Sequence, residues 1–87
     1  MADRELERQV ERLQSVMTPA FIKQAVETLV HQGEDIGGGV NAIRLVRHLL
    51  GDPGLGDVEA TWAYDRLKPA FATIFDQIPS LYYFEGD

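Results

Sequence analysis

His31 and His48 are the side chains in this sequence best suited to bind a metal or move a proton near neutral pH. They fall near the ends of two different helical segments, where a histidine reads as a surface or helix-terminal residue rather than a ligand. Gly37-Gly38-Gly39 offers backbone amides to a phosphate, but no Gly-Lys-Ser/Thr ending follows and no strand leads in. Nor does it fit the Gly-x-Gly-x-x-Gly turn of a βαβ unit. Asp52, Asp57 and Glu59 have the look of a calcium loop, yet Gly54 and Gly56 stand where the second and third oxygen ligands belong. Ser15 and Ser80 lack the context of an activated nucleophile. Asp65 and Asp76 share one side of a helix but lie about 16 Å apart along it, too far to serve one reaction. The expectation is a non-enzymatic protein with no metal and no cofactor.

Charge offers a second kind of chemistry. Arg44, Arg47 and His48 share a face of one short helical segment, as side chains of a DNA-reading helix do. The connection before that segment is glycine-rich and about eight residues long, whereas helix-turn-helix pairs use a turn of about three or four. The chain carries 14 acidic and 8 basic side chains, a net charge of −6, which repels a phosphate backbone. Nucleic-acid binding through Arg44, Arg47 and His48 is therefore the alternative reading, and an acidic protein-binding surface the main one.

The elements that must position these groups read as helices. Leu6, Val10, Leu13 and Met17 are spaced four, three and four apart within a first helix over 3–16, the seam of a coiled coil. That narrow stripe serves either the monomer's core or self-association with a second copy. Thr18-Pro19 starts a second helix over 19–32, with Thr18 as cap, Pro19 at its first position and Gly33 as its stop. Phe21, Ile22, Ala25, Val26, Leu29 and Val30 give it a wide apolar face. The glycine triplet then reads as a flexible connector. Asn41 caps a third helix over 41–50 that turns Ile43, Val46, Leu49 and Leu50 inward. Gly51-Asp52-Pro53-Gly54 ends that helix with turn chemistry. Asp57 caps a fourth helix over 57–78, with Val58, Trp62, Ala63, Leu67, Ala70, Phe71, Ile74, Phe75 and Ile78 as its buried stripe. Pro69 predicts a kink in it or a division into two helices. A tail over 79–87 has no helical period and reads as extended. No pairing of strands is expected. The fold class is all-α: a compact four- to five-helix bundle in one domain over 1–87, ending in an aromatic extended tail.

Aromatic residues and acids concentrate toward the C-terminus. Of eight aromatic residues only Phe21 precedes residue 62, and residues 48–87 hold seven acids against two bases, a net of −5. Tyr and Trp bury large areas at low entropic cost and are enriched at binding hot spots. Trp62, Tyr82, Tyr83 and Phe84 are therefore the candidate protein-contact residues, on an acidic surface suited to a basic partner. No run is apolar enough to cross a bilayer and the N-terminus is charged from Asp3, so the expectation is a cytoplasmic or other intracellular protein without a signal peptide. Asn41 to Arg47, followed by Gly54-Leu55-Gly56 and Glu59-Ala60, resembles the helix–glycine–helix segment of the ribosomal stalk protein's C-terminal domain. The basic residues that follow the glycines there are missing here, so the resemblance implies a helical corner and no shared function.

Overall fold

Thr18 and Asn41 each place a side-chain oxygen where a helix begins with unpaired amides. The computed structural model of the protein describes residues 4–33 and 39–84, apart from the side chains of Tyr82 and Phe84. Asp3, Glu34 to Gly38 and Glu85 to Asp87 lie outside the described residues, so the expected connector at Gly37-Gly38 and the end of the tail do as well. Helix α1 runs over Arg4–Val16 and α2 over Pro19–His31. Thr18 Oγ1 accepts from the Phe21 amide at 3.1 Å, and α2 closes on Gln32 with Gly33 in the left-handed region at φ 85°. Strand β1 is Gly39–Asn41, and α3 follows over Ala42–Leu50. Asn41 Oδ1 accepts from the amides of Ile43 at 2.9 Å and Arg44 at 3.2 Å. Gly51 ends α3 at φ 70°, a conformation that costs glycine nothing and a β-carbon about a kcal/mol. Helix α4 spans Asp57–Asp76, and β2 is Tyr82–Phe84.

The all-α bundle is what the sequence predicts, with four helices where four or five were expected and with one addition. β1 and β2 form a two-stranded parallel ladder in the register Gly39–Tyr82, Val40–Tyr83, Asn41–Phe84. The expectation of no strand pairing is thus corrected, and Gly39 opens a strand where the triplet was read as connector. Strands of three residues joined through two intervening helices leave no local pattern to read. The extended reading of the tail holds at Tyr82–Phe84.

Two further corrections concern α4. It begins after Gly56, which makes no side-chain cap, so Asp57 is its first residue rather than its cap. There its carboxylate still faces the positive end of the helix. Of the two expectations at Pro69 the division into two helices is not met, since α4 continues through it as one element, which ends at Asp76 rather than at 78. Pro69 is exposed, so the Asp65 carbonyl that loses its donor faces water. Leu67, Phe71, Ile74 and Phe75 meanwhile carry the buried stripe across the break.

Helical phase explains which side chains are inside. Taking Leu67 and Phe71 as the middle of α4's inner face, Val58 and Trp62 stand about 160° away at 100° per residue. Val58 is 69% exposed and Trp62 half-buried, against the expectation that both lie in the core stripe. Tyr64, in phase with Phe71, is 5% exposed and belongs to the core. On α3 the fully buried residues are Ala42, Leu45 and Val46, with Ile43, Leu49 and Leu50 half-buried around them. Phe21 stands at the edge of α2's apolar face and is 38% exposed.

The nine-residue α3 is the hub, touching α1, α2, α4 and β1, while α1 lies on α4 and α3. Leu6, Val10 and Leu13 are buried within the monomer and Met17 packs half-buried against them. That use fills the seam that could have joined a second copy. The Cα radius of gyration is 12.1 Å, close to the ~12 Å of a compact chain of this length.

The tail closes the core. Tyr83 lies 5.0 Å from Phe75, 5.7 Å from Phe71 and 6.1 Å from Tyr64, ring centre to ring centre. Opposite it in the ladder, Val40 is fully buried. Two measurements by urea unfolding check this account. Asn41→Ala is expected to cost about 1 kcal/mol by losing the α3 cap. Tyr83→Ala should cost roughly 2–3 kcal/mol, because it removes a ring held by three others. A Tyr83→Ala protein as stable as the parent would show that β2 does not seal the core.

Candidate functional site

The sequence singled out Trp62, Tyr82, Tyr83 and Phe84, and the fold does not gather them on one surface. Tyr83 is half-buried in the ring cluster of Tyr64, Phe71 and Phe75. Tyr82 and Phe84 are its neighbours in β2, with backbone partners Gly39 and Asn41. Trp62 belongs to the other side of α4, about 160° round the helix from Tyr64. There the Arg66 guanidinium stacks 4.8 Å over its ring, and Gln14 of α1 donates to the Arg66 carbonyl at 3.2 Å. The indole is thus half-buried against the core, with Arg66 over one face of its ring.

Counting phase from Phe71 reveals what the residue types alone concealed. Val58, Trp62, Asp65, Pro69 and Asp76 follow one another four, three, four and seven residues apart, on the face of α4 turned away from the core. Val58, Asp65, Pro69 and Asp76 are exposed. This gives α4 a second amphipathic stripe, apolar near its start and acidic beyond. Val58 was expected inside because valine is counted as core by type, whereas its helical phase marks it as external.

The three residues of the alternative reading are also divided. Arg47 is taken up within the fold. Its Nε donates to the Leu55 carbonyl at 2.7 Å, and its Nη2 donates to Asp57 Oδ1 at 2.6 Å. This clamp ties α3 to the turn before α4, with the Arg47 side chain 22% and Asp57 96% exposed. Arg44 and His48 remain exposed, one helical turn apart on α3. His48 and Leu49 form one wall of an open cleft of about 200 Å³, whose other wall is Phe21, Gln24, Ala25 and Thr28 of α2. The Thr28 hydroxyl is already donated to the Gln24 carbonyl at 3.0 Å.

Among the described residues no three of His, Asp and Glu come together as a metal-binding set, and no buried side-chain polar atom is left without a partner. No helix among them is long and apolar enough to cross a membrane. Two surfaces thus stand out by geometry: the outer stripe of α4 and the cleft between α2 and α3. Compared with known proteins, the chain matches no family model, no curated protein and no solved structure.

The Arg47 clamp can be measured with a double-mutant cycle. Asp57→Asn should cost less than about 1 kcal/mol, since the carboxylate is solvated and the pair is screened by salt. Arg47→Met should cost more than Asp57→Asn, because the Leu55 carbonyl then loses its donor as well. Equal losses would show that only the ion pair matters.

Proposed function

We propose that this chain is a non-enzymatic protein-interaction module, of the adaptor, inhibitor, immunity or assembly-accessory kind. It engages a protein partner through the acidic, partly apolar surface of its C-terminal half. The reading is carried by Val58, 69% exposed one helical turn from the half-buried Trp62. A large apolar side chain so exposed gains by burial, at about 25 cal/mol per Å². Exposed Asp65 and Asp76 further along the same stripe favour a partner whose apolar recess has a basic rim, by steering the encounter and fixing its direction. Tyr82 and Phe84 are kept as further candidates for that contact by their residue type. Nucleic-acid binding is the less favoured reading, because Arg47 is spent on Leu55 and Asp57.

Affinity capture from the native source, resolved by mass, tests the reading with two variants. Val58→Arg should abolish capture of the specific partner while leaving the melting temperature unchanged, since Val58 supports nothing inside. Tyr82→Ser combined with Phe84→Ser reports on the strand in the same way. Capture of the same partner at parental levels by both folded variants would sink the proposal.

A further inference from the structure

Tyr83 completes the cluster of Tyr64, Phe71 and Phe75, and those three rings all belong to α4. They precede the end of α4 at Asp76, so the chain reverses within residues 77–81 to bring β2 back over the helix it has just left. Among the described residues one backbone hydrogen bond spans that reversal, from the Leu81 amide to the Ile78 carbonyl at 3.0 Å. Within it Pro79 has no amide to donate and biases Ile78 toward an extended backbone. Pro79 and Ser80 are exposed. What holds the tail in place is therefore separate from what connects it to α4. The ladder Gly39–Tyr82, Val40–Tyr83, Asn41–Phe84 and the ring cluster form an acceptor with a visible occupant, an extended strand whose middle residue carries an aromatic ring.

From this we infer that the acceptor also takes β2 of a second copy, in a reciprocal exchange of tails that closes as a two-fold dimer. Straightened, residues 77–81 span up to about 17 Å, which carries β2 clear of its own ring cluster. Each copy then gives one strand and receives one, and the contact closes because donor and acceptor belong to the same fold. The ladder and ring contacts of the exchanged form are those of the monomer. What changes is the Leu81–Ile78 hydrogen bond and the packing of the half-buried Ile78 and Leu81. The two forms are therefore close in free energy per chain, and concentration selects between them. A net charge of −6 on each copy opposes the dimer at low salt. The exchange uses neither Val58 nor the outer stripe of α4, so its failure leaves the proposed function as it stands.

Cysteine trapping on the full chain tests it, since the sequence has no cysteine of its own. Residues 39 and 82 are partners in the ladder, and neighbouring strands about 4.8 Å apart lie within disulfide reach. The double variant Gly39→Cys/Tyr82→Cys, oxidised at about 1 μM, should close within its own chain and so lock the tail in place. Single variants Gly39→Cys and Tyr82→Cys are mixed at ~0.5 mM in ~0.15 M salt, warmed to the unfolding midpoint, cooled and oxidised. The expected product is a mixed disulfide of twice 9.7 kDa, at least about tenfold above that from Tyr82→Cys mixed with Glu27→Cys, which has its thiol exposed on α2. In sedimentation velocity after the same warming, the parent should show a dimer that grows with loading up to about 1 mM, and the locked double variant should stay monomeric. Mixed cross-linking no greater than the Glu27→Cys control, a parent monomeric at every loading, or a locked variant that dimerises like the parent overturns the inference. Failure of the dilute double variant to close within its chain removes the ladder itself, and the inference with it.

Discussion

Among the described residues Phe71 is the largest side chain with no exposure to solvent, and most of the fold can be understood as the means of enclosing it. Its ring lies 6.1 Å from Tyr64, 6.3 Å from Phe75 and 5.7 Å from Tyr83, so a strand near the end of the described chain completes a cluster begun by one helix. A chain of this size buries only about two-thirds of its unfolded surface, which leaves little margin for an open core. The parallel ladder of β1 and β2 follows from that need. Val40 and Tyr83 are paired in register, and both turn toward the interior that α3 and α4 create.

The same economy explains the placing of the charges. Arg47 sits where α3 meets the turn into α4, and its guanidinium satisfies the Leu55 carbonyl while holding Asp57. An arginine suited by type to a phosphate is thereby used to set the angle of entry of the longest helix. His48, exposed on α3, lines with Leu49 a cleft whose other wall is Phe21, Gln24, Ala25 and Thr28 of α2. The outer face of α4 carries Val58 and Trp62 before Asp65 and Asp76.

Much of the fold is legible in the sequence because it is written in local rules. Thr18-Pro19, Gly33, Asn41 and Gly51 each mark a helix end by a mechanism confined to a few residues, and each mark is observed. The heptad spacing of Leu6, Val10 and Leu13 correctly announces one buried stripe. Residue type without phase was less reliable. Val58 was counted as core and Tyr64 was not, although the angle of each from Phe71 around the helix orders them the other way.

The sequence by itself determined a helical bundle, most of its helix ends, an extended tail, and a chain with more acids than bases. Tertiary structure alone decided that Tyr83 fills the core, that Arg47 belongs to a turn, and that Val58 faces outward beside Trp62. It also decided that Gly39–Asn41 and Tyr82–Phe84 pair as strands. The division has a physical cause. Caps, periodicity and charge act between residues within about four positions of one another, where order along the chain is also order in space. Ring clusters, ladders and clefts join residues far apart in sequence, and their partners are chosen by which faces the packed helices leave to be covered.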